Sequence, residues 1–142
     1  MATYIKYDFA IEDLCNKLID AFGATDTWNA IIVTDTPAPT TDHVLTDVTE
    51  IGNSNGYTTG GQSIAFNSTR TGGTVTATAT DVVWTAVTGN LGSSTTGRWV
   101  VVYDFTAAAK NLWCHWDYGS VFTVAVGETF TLDFGATFWT IS

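Results

Sequence analysis

Apolar and polar positions alternate most strongly between Arg98 and Gly119, RWVVVYDFTAAAKNLWCHWDYG. Trp99, Val101, Tyr103 and Phe105 fall on one side of an extended run, and Val100 and Val102 on the other. A strand that is apolar on both faces is predicted to be central in its sheet. Leu112, Cys114, Trp116 and Tyr118 repeat the alternation after a turn of about six residues. Antiparallel pairing of the two runs would set Trp99 near Tyr118 and Val101 near Trp116.

The N-terminal region carries a different period. After Asp8, a plausible N-cap, the residues Ile11, Leu14, Cys15, Leu18, Ile19 and Phe22 follow the spacing of one helical face. This predicts an amphipathic helix over about residues 8–22, with Asp13 and Lys17 paired on its outer face and Gly23 beyond its C-cap. Its apolar face should lie on the sheet or on a partner. Trp28 to Thr34 reads as a strand ended by DTPAPTTD, which holds both prolines, Pro37 and Pro39. His43 to Ile51 allows a short 3₁₀ turn. Gly52 to Gly61 is a glycine-rich loop in which Asn55-Gly56 suits positive φ.

Gln62 to Phe66 and Thr74 to Thr80 read as a hairpin joined by NSTRTGG, followed by a short buried run, Val82 to Val87, and a flexible loop, Gly89 to Gly97. Near the end, VFTVAV and TFTLDF flank Gly127-Glu128, which suits a two-residue hairpin turn, and Thr137 to Ile141 is a last strand. The expectation is one mainly β domain over residues 1–142. It would be an antiparallel, jelly-roll-like β-sandwich of about eight or nine strands, with the sheet part from about residue 27 and one N-terminal α-helix.

Composition narrows the partners. Asp plus Glu number 14 against 5 Lys plus Arg, a formal charge of -9. Nucleic acid and acidic membrane surfaces need clustered cations to displace their counterions, so neither is an expected partner. Thr, about a fifth of the chain, suits a half-exposed pleated surface. No stretch resembles a signal peptide or reaches the length of a membrane span, so synthesis and folding in a cytosol are expected. Cys15 and Cys114 lack CxxC spacing. They read as two buried thiols, with a disulfide between them as the alternative.

Catalytic chemistry is thinly represented. His115 lies between two tryptophans beside Asp117, with Ser120 close in sequence, but the pattern places Ser120 past the end of the hairpin. His115 therefore reads as a sheet residue with a hydrogen-bonded ring, and the protein as a non-enzyme with no cofactor. Asp35, Asp42, Asp47 and Glu50 could hold a hard cation such as calcium, but they match no EF-hand spacing and read better as solvated turn and capping residues. The six tryptophans, eight phenylalanines and five tyrosines read mostly as core. Trp113 and Trp139 are the two expected to face a partner.

The order TDTPAPTTDHVLTDVTEI, NGYTTGGQ, DVVWTA, RWVVVYD, LWCHWDYG and VAVGETFTLDF, after a short helix and a strand, resembles a widespread family of small tailed-bacteriophage and prophage virion proteins. Its members show "NTAP", "L.DITEI", "GNGYTAGG", "WTA", "RYAVLYD", "DYG" and "AGETFTV" in the same order. The resemblance covers roughly residues 8 to 135. The departures are Trp99 where Tyr is usual and a longer 89–97 loop. It implies a structural component of the virion and carries over no catalytic residue.

The role expected from it is a capsid decoration or cement protein on the head surface, bound to the major capsid protein and to itself as a homo-oligomer, for instance a trimer. Candidate contact residues are Pro37 and Pro39 in the proline loop, Tyr57, Trp113 and Trp139. The alternative is a tail or adhesin-like module that stacks its aromatics on a cell-surface glycan.

Overall fold

The computed structural model describes residues 2–20, 26–94 and 96–142. Its elements are β1 (Thr3–Lys6), α1 (Phe9–Cys15), β2 (Trp28–Val33), a 3₁₀ turn (Leu45–Asp47), β3 (Gln62–Ile64), β4 (Phe66–Thr71), β5 (Thr74–Ala79), β6 (Val82–Thr85), β7 (Gly97–Asp104), β8 (Leu112–Phe122), β9 (Thr129–Leu132) and β10 (Trp139–Ile141). The strands form an antiparallel five-stranded sheet in the order β1-β8-β7-β2-β3, a three-stranded sheet β10-β5-β4 and a two-stranded sheet β6-β9. The domain is mainly β, as expected. Its sheets are not the paired four-stranded sheets of a jelly roll.

β7 is the middle strand of the large sheet, and its two apolar faces serve two cores. Val100 and Val102 join Ala30, Ile32, Cys114 and Trp113 on the face that meets Trp84 of β6 and Leu132 of β9. Trp99, Val101 and Tyr103 join Ile31, Val33, Leu112 and Tyr7 on the other face, with Val48 and Leu45 of the 3₁₀ region above them. Each fully buried Ile or Val here contributes on the order of 1.5–3 kcal/mol. That is why a strand without a polar face is stable only at the centre.

The pairing of β7 with β8 differs from the expected register by one residue. Trp99 faces Asp117, Val100 faces Trp116 and Val102 faces Cys114, after which Tyr103 faces Leu112. Trp113 is thus an extra residue in β8, a bulge that the local alternation does not encode. The 105–111 connection, closed by the Asp104 N–H to the Asn111 carbonyl at 3.0 Å, holds this register. Because the side-chain period is two, the shift decides which face each residue occupies. Here it places Trp113 and Cys114 together in the same core while Leu112 faces the other.

The helix is shorter than its periodicity predicts and buries a different face. Lys17 adopts φ 58, Leu18 N–H donates to Asp13 O at 2.9 Å and Lys17 N–H to Leu14 O at 3.2 Å. This closing motif ends α1 with Lys17, not Gly, in the left-handed position. Phe22 and the expected terminator Gly23 lie outside the described residues. Asp8 makes no side-chain cap, and Asp13 is buried with Ala10 and so is not paired with Lys17 on an outer face. Ile11 and Leu18 are exposed. Cys15 is exposed as well, and both cysteines are free, so neither a buried pair nor a disulfide is present.

Two predicted hairpins resolve differently. NSTRT is itself strand β4, paired with β5 around Gly72-Gly73, while β3 pairs with β2. Val121 and Phe122 belong to the long β8, and β9 pairs with β6, so Gly127-Glu128 is a turn but not a hairpin tip. In that turn Glu128 N–H donates to Ala125 O, and the third residue, Gly127, has φ 85. Among the described residues no helix is long and apolar enough to cross a membrane.

Candidate functional site

The segments that carry the virion-protein resemblance converge in space, and their polar side chains are spent on backbone groups. Glu50, from the TEI segment, accepts the Tyr57 hydroxyl at 2.6 Å and the Gly60 N–H at 2.9 Å. Tyr57 oxygen in turn accepts the Ile32 N–H at 3.0 Å, and the Gly60 carbonyl accepts from Asn29 Nδ2 at 2.7 Å and from the Tyr103 hydroxyl at 2.9 Å. The NGYTTGG loop is therefore bolted to β2 and β7. Burial raises the Glu50 pKa despite these donors.

The glycines of this loop are required by close approach. A β-carbon on Gly61 (φ 73) would lie 1.9 Å from Ala30 O, and one on Gly56 (φ 101) 2.1 Å from Thr85 O. Beside them Tyr57 lies nearly parallel to Trp84 of the WTA segment, ring centres 6.4 Å apart. Ala86 and Gly127 close the other end, Ala86 N–H donating to Glu128 O at 3.0 Å and Gly127 N–H to Ala86 O at 2.8 Å. The 89–94 part of the loop expected to be flexible is tied down. Leu91 N–H donates to Val124 O at 3.0 Å, and Ser94 N–H to Ile51 O at 2.9 Å.

The remaining signature acids act alike. Asp104 Oδ1 accepts the N–H groups of Thr106 and Ala107 at 2.8 and 3.0 Å. Burial raises its pKa, with the charge of Asp26 adding to the effect. Asp117 pairs with Arg98 through two 2.9 Å hydrogen bonds and accepts the Gly119 N–H at 2.7 Å. Arg98 first, and then that N–H, lower its pKa to about 2. Asp117 therefore serves the turn and the arginine, and His115 has no acid partner in it.

His115 is 2% exposed and packs against Tyr7 at 5.3 Å between ring centres. Contrary to expectation, its Nδ1 is buried without a hydrogen-bond partner among the described residues, as is the Tyr7 hydroxyl. Burial lowers the His115 pKa and raises that of Cys114 well above a free thiol. Burial therefore favours the neutral form of both groups in the core.

The acidic stretch behaves as capping residues. Asp35 accepts Thr49 N–H at 2.9 Å, Asp42 accepts Ala38 N–H at 2.6 Å, and Asp47 accepts the N–H groups of His43 and Val44 at 2.8 and 2.9 Å. Among the described residues no group of three or more His, Cys, Asp or Glu side chains converges to hold a metal. Sequence reasoning missed one cluster. Buried Asp13 accepts from Asn111 Nδ2 at 2.9 Å and meets His43 Nε2 at 2.8 Å, with Phe9 stacked on the imidazole at 4.4 Å. It ties α1 to the 3₁₀ region and to the start of β8. The available signal was an acid on the same helical face as small Ala10.

The expected contact residues divide. Pro37 is buried and Pro39 half-buried, its carbonyl accepting Asp8 N–H at 3.0 Å. Tyr57 and Trp113 are 1% and 2% exposed, so both are corrected from contact residues to core residues. Trp113 turned inward because of the β8 bulge. Trp139 is half-buried, 5.1 Å from Trp113 between ring centres. The large apolar side chains left exposed include Val83, Val87, Val121 and Val126. No protein-family model, curated protein or solved structure matches the chain.

Proposed function

We propose that the protein is a structural component of a bacteriophage particle, a decoration or cement protein that bridges capsomers on the head and strengthens the shell. The order of sequence segments shared with small virion proteins carries the reading. The use made of those segments supports it: Glu50, Asp104, Asp117 and Glu128 each accept backbone N–H groups and hold turns. A domain whose distinctive residues fix loop positions suits a part that must present one rigid shape to many identical neighbours. In this reading it is not an enzyme, and its partners are the major capsid protein and further copies of itself.

The mechanism is mass action. A protein that binds only the assembled shell stabilises it by an amount that grows with free concentration. The glycan-binding alternative has less support, because, of the two tryptophans on which it relied, Trp113 is buried and Trp139 is half-buried. Purified protein added to undecorated heads should bind in a saturable way and raise the temperature at which they release DNA. Heads that neither bind it nor gain heat resistance would sink the proposal.

A further inference from the structure

The two small sheets leave the outer edges of β4, β10, β6 and β9 without a strand among the described residues; β4 and β9 are the two with features that suit a partner. β9 pairs only with β6, and β4 only with β5, among the described strands. β4 runs in unbroken register from Phe66 opposite Ala79 to Thr71 opposite Thr74, with no bulge. It has no proline and no lysine, and Asn67 to Thr71 are all exposed. At its tip, a β-carbon on Gly72 or Gly73 would meet nothing within 4 Å. An exposed edge in unbroken register, with Arg70 as its one charged residue, is a template for another strand.

β9 borders a groove. β1 pairs with β8 only as far as Asp117, so the tail of β8 beyond it runs unpaired on that side, and its Tyr118 and Phe122 rings meet Phe130 of β9 along a seam. Two hollows of about 630 and 400 Å³ lie along this seam and share Tyr118. Their aromatic lining is a ladder of Trp116, Tyr118, Phe122, Phe130 and Phe134, with Phe122 and Phe130 stacked at 4.4 Å. Glu128 lies in one hollow and Asp133 in the other. Asp133 is close enough for its charge to add to the burial that pushes the Tyr118 hydroxyl up to about 12.

Charge selects the occupant. With 14 acidic and 5 basic residues, two copies repel unless a cation of one meets acids of the other. Arg70 is the only charged residue of the β4–β5 hairpin, and its guanidinium donates to the Gly72 carbonyl of the same hairpin at 2.8 Å. We infer that the protein self-associates head to tail, the bare edge of β4 in one copy adding to the bare edge of β9 in the next. Arg70 then lies among the groove carboxylates and the arriving strand covers the aromatic ladder. The two surfaces are different, so the contact is heterologous. It closes into a ring, such as a trimer, or extends as a filament, according to the rotation between copies.

The test needs no phage heads, so its failure leaves the particle reading standing, and failed head binding leaves the inference standing. In a Cys15→Ser background, Thr69→Cys and Thr131→Cys chains are mixed and oxidised, with Thr40→Cys replacing Thr69→Cys as control. Disulfide-linked dimers should form in the first mixture well above the control. Sedimentation equilibrium should show concentration-dependent association that Arg70→Glu weakens about tenfold and that Arg70→Glu with Asp133→Arg restores. Cross-linking no better than the control, a 15.2 kDa species at every concentration, or association indifferent to Arg70→Glu would each overturn it. So would a monomer whose Tyr118 and Phe130 resonances move on adding oligosaccharides, which would assign the groove to a glycan.

Discussion

Gly61 and Gly73 both sit in Thr-rich, glycine-paired turns, yet their surroundings are opposite. A β-carbon on Gly61 would lie 1.9 Å from the Ala30 carbonyl, and one on Gly73 would meet nothing within 4 Å. The first glycine belongs to the loop that Glu50 and Tyr57 hold against the large sheet, and the second to the tip of the β4–β5 hairpin. Fixed loops cost chain entropy, and the structure offsets it with buried hydrogen bonds and ring contacts at that end only. The hairpin tip receives neither, its one side-chain hydrogen bond, from Arg70 to the Gly72 carbonyl, being exposed. One end of the molecule is built to keep its shape, and the other leaves the edge of β4 without a strand among the described residues.

Substitutions should reproduce this asymmetry. Trp84→Ala removes a buried ring packed on Tyr57 and Phe130 and should cost about 3–5 kcal/mol in chemical denaturation. Gly61→Ala forces a β-carbon onto a carbonyl in a left-handed residue, and a loss of about 3 kcal/mol is expected. A loss below about 1 kcal/mol would show the loop to be looser than its hydrogen bonds imply.

Tyr57→Phe keeps the ring but leaves the Ile32 N–H and Glu50 without their shared partner. About 2 kcal/mol should go, read as a lower urea midpoint with unchanged slope.

A smaller effect should appear with pH. The folded pKa of His115 lies below its ordinary value of 6.5, so the folded state binds fewer protons than the unfolded one. Its contribution to stability is complete above that ordinary value and is lost as pH falls below it. Glu50 and Asp104, raised by burial, act in the opposite sense, being most favourable when protonated. His115→Gln should therefore make melting temperature less sensitive to acid between about pH 7 and 5. An unchanged acid sensitivity would place the responsible proton elsewhere. Least of all, Gly73→Ala on the bare hairpin should shift stability by no more than about 0.5 kcal/mol, in contrast with the same replacement at Gly61.

The comparison also explains what could be read from the chain directly. β2, β5, β6, β7 and β8 were each visible because their apolar residues repeat at a strand's period. The glycine-rich loops were visible because positive φ leaves few alternatives. The chemical content of the site was visible only as residue types: nothing in the sequence indicates that Glu50 would find the Tyr57 hydroxyl, or Asp13 would find His43 and Asn111. Those partners are brought together by separate elements.

By itself the sequence determined a mainly β domain with a central strand apolar on both faces, since element type follows from short-range periodicity that each segment carries alone. Tertiary structure decided the rest. It ended α1 at Cys15, because a buried Asp13 and the turn at Lys17 outweighed a longer apolar repeat. It also inserted the bulge at Trp113 that turned a presumed contact residue into core. Register and burial depend on which distant strand arrives opposite, and no local pattern contains that information.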